Sequence, residues 1–273
     1  MKRFLIPTDF SENSIKVCEY AINTIAKETA ELILFHILPD SIMIPDSSFP
    51  AGIDSDAFLN SEYLETLKIQ SKKNMAELKS KMLDHILKSG IGNITIKTIV
   101  TSGDAEWEIM GACKKYSPDI IIMGTRGSGN KGFLEGSMAE KIMTKVIIPV
   151  IAVPQDSKSN RPQNILYSTN FNDRDYSKIK LLFTLFKNLD IKIYVSHFDM
   201  DGKDASLFDK LENLKQAFYK EKLDNKIFFN IISSTNKKVS LETFCDEYEI
   251  DMVSFISYKT NIFKNLFSHE IHK

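Results

Sequence analysis

The chain has little cysteine, almost no net charge and no long apolar run, and each shortage closes off a class of function. Cys18, Cys113 and Cys245 are the 3 cysteines in 273 residues, widely spaced and set in apolar patterns. An odd, dispersed set argues against a disulfide framework or a zinc site. Basic and acidic residues number 35 and 36, a net charge of -1, so no basic footprint points to nucleic acid. The longest apolar stretches, such as residues 146–153, fall far below the ~20 residues that span a bilayer, so no membrane partner is expected. The opening MKRFLIPTDF enters a strand at once and carries no mark of export. A cytoplasmic protein is the expectation. A Walker phosphate loop is also missing, because the chain's one Gly-Lys pair, Gly202-Lys203, is followed by Asp204 rather than Ser or Thr.

What remains is an ordinary globular composition, 43% hydrophobic and 26% charged, at a length that suits two domains of about 140 residues. The first half alternates short apolar runs with helical patterns. Residues 4–7 predict a strand that runs into Thr8-Asp9-Phe10-Ser11. Ser11 is a good N-cap, and Ile15, Cys18, Ile22 and Ile25 fall at helical spacing. Residues 32–38, LILFHIL, predict a second strand. His36 in it reads as a satisfied core residue, with no carboxylate or Ser nearby to suggest catalysis. Residues 39–60 are too long and polar for an ordinary connection and predict a flap. A helix over 61–89 follows, its stripe formed by Tyr63, Leu64, Leu67, Met75, Leu78, Met82, Ile86 and Leu87. A third strand over 94–100 leads through Gly103-Asp104 to an acidic helix start.

The organising stretch is 118–154, PDIIIMGTRGSGNKGFLEGSMAEKIMTKVIIPVIAVP. Residues 119–123 are apolar, β-branched and without alternation, as a strand buried on both faces should be. The glycines that follow, Gly124, Gly127, Gly129 and Gly132, permit positive φ and close approach of backbone to a ligand, and Gly136-Ser137 opens a helix whose N–H groups favour an anion. Residues 127–132, GSGNKG, spell the dinucleotide fingerprint. That motif belongs in a tight first strand-to-helix turn, however, and here the helix is predicted only near Gly136, after about ten residues. A ligand-free glycine connection also stays open.

Gly124-Thr125-Arg126-Gly127, then Gly136-Ser137-Met138-Ala139-Glu140-Lys141, resembles the nucleotide-binding signature of the universal stress protein family, G-x-x-G, nine residues, G-S/T. Here the gap is 8 residues, and Glu135 sits beside the phosphate seat. The resemblance implies an α/β fold of Rossmann-like, adenine nucleotide alpha hydrolase-like type: an open parallel sheet with strand order 3-2-1-4-5. It further implies ATP or AMP as ligand, with or without Mg²⁺. Asp9 and the Ile37 backbone would hold the base, beside Pro7 and Thr8. Met123, Gly124, Gly127 and Gly129 would let the backbone reach the phosphates, Gly136, Ser137, Met138 and Ala139 would supply helix-start N–H groups, and Arg126 and Lys131 would add charge. For Asp9 the residues leave a second reading equally open, a carboxylate that satisfies turn N–H groups.

After PQDSKSNRP at 154–162, the clearest linker, the chain starts again. NILYSTNF at 164–171 repeats RFLIPTDF at 3–10, YVSH at 194–197 falls where LFH fell, and Cys113 and Cys245 each precede an Asp, Asp119 and Asp251, by 6 residues. The expected domains are 1–154 and a degenerate, shortened copy at 163–273. In the copy Asp9 has become Asn170, Pro7 has become Ser168, and residues 256–263 contain no glycine. No residues remain for a fifth strand, so the first copy's Ile147 to Val153 is expected to pair with itself in a homodimer. The expected function is adenine nucleotide binding in a stress-response or signalling role. Two alternatives stand beside it: a ligand-free interaction protein, and a slow ATP hydrolase, for which no placed general base or metal cluster is legible.

Overall fold

The computed structural model describes residues 1–25, 28–39, 55–91, 93–124, 138–153, 161–199, 205–233 and 236–255. The chain divides into two compact units, Met1–Ile22 with Lys27–Gln155 and Asn23–Ala26 with Asp156–Lys273. The first contains β1 (Lys2–Pro7), α1 (Glu12–Ile25), β2 (Ala30–Leu38), α2 (Ser55–Ser89), β3 (Ile94–Ser102), α3 (Ala105–Tyr116), β4 (Ile120–Gly124), α4 (Met138–Lys145) and β5 (Val150–Val153). All pairings in its sheet are parallel, in the order β3-β2-β1-β4-β5. The strand order therefore reverses beside β1, which lies between β2 and β4.

Residue type explains why the centre of this sheet is inaccessible. Phe4, Leu5 and Ile6 in β1 and Ile120, Ile121 and Ile122 in β4 are buried in succession, as happens only where helices cover both faces of a sheet. Val17, Cys18, Ala21, Ile22 and Ile25 form the buried stripe of α1, and each large aliphatic side chain so covered contributes about 1.5–3 kcal/mol. Helix α3 starts on Asp104, whose Oδ1 accepts from Glu106 N and Trp107 N, both at 3.0 Å. It stops at Ser117, which takes a left-handed conformation (φ 44°) while its N–H donates to the Cys113 carbonyl.

Beyond shifts of one or two residues at strand ends, several assignments differ from expectation. Residues 55–60, assigned to the flap, belong to α2, which starts at Ser55; Ser55-Asp56 is a good helix start and Ala57 and Leu59 are strong helix formers. The other residues of the flap, 40–54, lie outside the described residues. Leu87 is 79% exposed although it was placed in the core stripe; it follows buried Ile86 by 100° of helical turn, which carries it off the packed face. The fifth strand begins at Val150, and Ile147 is 94% exposed. Pro149 supplies only a carbonyl, which accepts from Ile121 N at 2.9 Å, so pairing with β4 cannot extend further back by a Pro149 donor.

The second unit repeats the scheme with β6 (Asn164–Ser168), α5 (Asp175–Leu185), β7 (Lys192–Asp199), α6 (Leu207–Ala217), α7 (Tyr219–Leu223), β8 (Ile227–Ser233), α8 (Lys237–Glu247) and β9 (Met252–Phe255). Its described sheet has four parallel strands, β8-β7-β6-β9, with no fifth among the described residues. The two copies share a staple at the start of the fourth strand. Asp119 N donates to Arg3 O and Asp119 Oδ2 accepts from Arg3 N, both at 2.8 Å. Asp251 N donates to Asn164 O at 3.0 Å, and Asp251 Oδ2 accepts from Asn164 N at 3.1 Å.

Candidate functional site

The carboxyl ends of β1 and β4 lie side by side at the point where the strand order reverses, the place at which open α/β sheets leave a crevice. Their register pairs Leu5 with Ile121, and carried forward at the same offset it sets Thr8 level with Gly124. Pro7 ends β1 half-buried, and Thr8 is buried. The Thr8 N–H donates to Phe35 O at 2.9 Å and its Oγ1 to Ser14 Oγ at 3.0 Å. Asp9 is exposed. Its Oδ1 accepts from Ser11 N at 3.0 Å and Ser11 Oγ at 2.6 Å, while Oδ2 takes no bond from the described residues. The turn-satisfying reading of Asp9 is thus realised by one oxygen, and the other stays open to an external donor.

Phe10 follows with φ of 63°, a conformation a bulky residue seldom takes. Its N–H donates to Thr8 Oγ1 at 3.2 Å. From β2, His36 Nδ1 lies 2.7 Å from the Thr8 carbonyl, and its ring centroid lies 4.2 Å from that of Phe10. His36 Nε2 is 3.3 Å from Ser71 Oγ on α2. The expectation of no serine near His36 is corrected here, since Ser71 is distant in sequence. The ring nitrogens of His36 thus face the Thr8 carbonyl and the Ser71 hydroxyl, neither of them the carboxylate that would raise the basicity of a catalytic histidine, and Ser71 is buried. Ile37 is half-buried and opposes Thr101 of β3.

At the end of β4, Met123 is buried opposite Ala152 and Gly124 half-buried opposite Val153. Met138 and Ala139 are the first two residues of α4, and Ala139 is fully buried. Arg126, Gly127, Gly129, Lys131, Gly132, Glu135, Gly136 and Ser137 lie outside the described residues. A cavity of about 450 Å³ opens instead at the ends of β2 and β3 beneath α2, lined by Leu38, Pro39, Leu64, Lys68, Val100 and Thr101 among others. None of the expected site residues lines it, although Ile37 adjoins Leu38 in the chain and Thr101 across the ladder. The candidate site taken up below is the β1–β4 strand end rather than this cavity: it carries Asp9, whose Oδ2 takes no bond from the described residues, and Gly124.

The second copy rebuilds the same strand end with one exchange at its centre. Thr169 N donates to Ser196 O at 3.0 Å, Phe171 N donates to Thr169 Oγ1 at 2.8 Å, and Phe171 has φ of 55°. His197 Nδ1 is 2.9 Å from Thr169 O, with ring centroids of Phe171 and His197 5.0 Å apart. Where the first copy has Ser14, the second has Asp175, only 3% exposed. This carboxylate accepts from Tyr167 Oη at 2.8 Å, from Asn172 N at 2.9 Å and from Thr169 Oγ1.

The family model described as the universal stress protein family matches residues 1–154. The chain belongs to the universal stress protein family. Universal stress protein MJ0577 of Methanocaldococcus jannaschii is 30% identical over 162 residues, which cover 56% of this chain and 94% of that protein. Universal stress protein YxiE of Bacillus subtilis is 23% identical over 152 residues, 55% of this chain and 97% of its own. Among solved structures, a universal stress protein from Archaeoglobus fulgidus aligns over 97% of this chain and 89% of its own, with a TM-score of 0.70 at 20% identity. That last likeness concerns the fold.

This universal stress protein is a tandem one, and its strand ends depend on residues that sequence reasoning passed over. In the first unit Ser14 meets Thr8 and Ser71 meets His36, and in the second Tyr167 meets Asp175, each pair joined from separate elements. Only Asp175 left a trace in the chain: it stands at the helical position where Ser14 stands in the repeat, a charge on a face that α5 buries.

Proposed function

We propose that the first domain, residues 1–154, binds an adenine nucleotide, ATP or AMP, in a stress-response or signalling role, and that residues 163–273 form a degenerate domain without that site. The observation that carries this reading is the pairing at the strand-order reversal of Asp9, whose Oδ2 is unengaged by the described residues, with the Gly124 strand end level with Thr8. Asp9 and the Ile37 backbone hold the base. Gly124 and the glycines after it leave the phosphates room, and the N–H groups opening α4 face the negative charge. Glu135, one residue before Gly136, opposes a polyanion, so AMP binds more tightly than Mg²⁺-free ATP. The protein works in the cytoplasm as a homodimer.

Titration calorimetry with ATP and AMP on the full chain tests the reading, with mass spectrometry of ligand carried through purification as a cheaper companion. Gly127→Val abolishes binding and Ser257→Val leaves it unchanged. Equal loss from both substitutions removes the asymmetry between the domains. A native chain that takes up neither nucleotide favours the second reading, an interaction protein without ligand, in which the bonds from Ser11 to Asp9 Oδ1 are that carboxylate's whole task.

A further inference from the structure

We infer that His36 is the positioning residue of this site: it clamps the Thr8 carbonyl through Nδ1–H and holds the Phe10 ring, so that Asp9 between them is presented in one conformation. The inference rests on the reading of Asp9 as a base-binding group, and it assigns a task to a histidine that otherwise looks like a satisfied core residue.

The tautomer of the neutral ring follows from the partners. A carbonyl oxygen can only accept, so at 2.7 Å from Thr8 O the His36 Nδ1 carries the hydrogen. In the neutral ring Nε2 is then the acceptor, and the Ser71 hydroxyl at 3.3 Å donates to it. Ser71 is itself buried on α2, so the ring is fixed from the strand side and the helix side at once. The residue it controls needs such holding. Phe10 keeps a φ of 63°, which for a residue with a Cβ persists only where its surroundings over-determine it. A glycine would adopt that angle freely but would forfeit the ring contact with His36 at 4.2 Å. With Thr8 O and Phe10 both held, Asp9 has little freedom left.

The second copy supplies an internal control. His197, Thr169 and Phe171 reproduce the clamp, with a 2.9 Å contact from Nδ1 to the carbonyl and a φ of 55° at Phe171. The residue presented there is Asn170. The clamp is thus separable from what it presents: it belongs to the fold, whereas the choice of ligand belongs to the residue between its jaws.

The test uses the full chain with His36→Leu, His36→Asn and His197→Leu, read by exchange of the Phe10 and Ser11 amide hydrogens and by ATP calorimetry. Loss of one half-buried hydrogen bond predicts that His36→Leu speeds exchange at the turn, and weakens ATP binding, each by about tenfold. His36→Asn carries an amide N–H where Nδ1–H was and keeps both within about threefold. His197→Leu speeds exchange at Phe171 and leaves ATP affinity unchanged. Should His36→Leu not fold, His36→Asn against His36→Gln makes the same comparison, because Gln places its amide toward Ser71 rather than Thr8. Unaltered exchange in His36→Leu, or equal effects of Asn and of the variant lacking the donor, overturns the clamp. A native chain that binds no ATP removes the nucleotide reading, while the exchange rates still decide whether His36 holds the turn.

Discussion

The two domains build one strand end twice and use it differently. Thr8, Phe10 and His36 recur as Thr169, Phe171 and His197 with nearly the same contacts, whereas Asp9, Ser14 and Ile6 are replaced by Asn170, Asp175 and Tyr167. The groups that shape the backbone are retained, and the exposed residue of the turn and the groups beneath it have changed. In the first domain the turn is held by the hydroxyls of Thr8, Ser11 and Ser14, and one oxygen of the exposed Asp9 takes no bond from the described residues. In the second a buried carboxylate gathers the turn onto itself. A carboxyl group sunk under the turn and engaged by three donors holds the scaffold and exposes almost no surface.

The largest expected effect concerns the edge that distinguishes the two sheets. Among the described residues β5 pairs with β4 alone, and the second domain shows no counterpart of it. Val150 and Ile151 are half-buried and Ile147 almost fully exposed, an apolar edge of the kind that soluble proteins pair or cover. Across a two-fold axis the edge would meet its own copy. Light scattering is expected to give twice the chain mass, and Val150→Lys, which sets like charges against each other, to give monomers. A native chain that stays monomeric at high concentration breaks the proposal and leaves the edge to be covered by some other part of the chain.

Exchanging the buried groups of the two turns sharpens the comparison. Asp175→Ala removes the acceptor that Tyr167 Oη, Thr169 Oγ1 and Asn172 N share and is expected to cost about 3 kcal/mol. Ser14→Ala removes only hydroxyl bonds and costs about 1 kcal/mol. The reverse transplant, Ser14→Asp, buries a carboxylate where Ile6 stands in place of the donating Tyr167, and it destabilises the first domain by about 2 kcal/mol or more. Residue-resolved amide exchange under increasing urea assigns each loss to its domain. Comparable costs for Asp175→Ala and Ser14→Ala would falsify the view that the second turn depends on its acid.

Much of this fold was legible in the chain because its determinants are local. The apolar runs within β1, β2 and β4, the acidic helix start after Gly103-Asp104 and the repeat of 3–10 at 164–171 are all written within a few residues. The site was legible only as a list of candidates. Asp9, Ile37 and Gly124 were placed at strand ends by pattern, yet the split of Asp9 between Ser11 and an open oxygen depends on side-chain geometry. The Ser71 contact to His36 spans 35 residues and depends on how a long helix crosses the sheet, which periodicity does not encode. Leu87 and Ile147 were misassigned for a related reason: apolar character says that a residue prefers burial, and the register of helix or strand decides whether it obtains it.

The smallest expected difference lies in the paired thiols, and it tests whether α3 and α8, the helices that precede the fourth strand of each sheet, meet equivalent surroundings. Cys113 and Cys245 occupy equivalent places, each 6 residues before the staple Asp. Burial raises the Cys113 thiol above its ordinary value. Cys245 is pushed up to about 11 by burial, with Asp246 and Glu242 adding to the shift, and it packs against the cluster that includes Leu166, Phe198 and Phe244. Cys18, wholly buried in α1, is pushed up to about 12, again chiefly by burial. The thiolate is the reactive form, so each unit of elevation removes about tenfold of it at a fixed pH below the pKa. At pH 8 iodoacetamide is therefore expected to modify Cys113 first, Cys245 more slowly and Cys18 only on unfolding, with the rates of Cys113 and Cys245 rising as the pH is raised. Peptide mass spectrometry over a time course reads the order. Equal rates at Cys113 and Cys245 would show that the aromatic cluster and the two acids do not set this thiol apart, and that the two helices are equivalent despite their different neighbours.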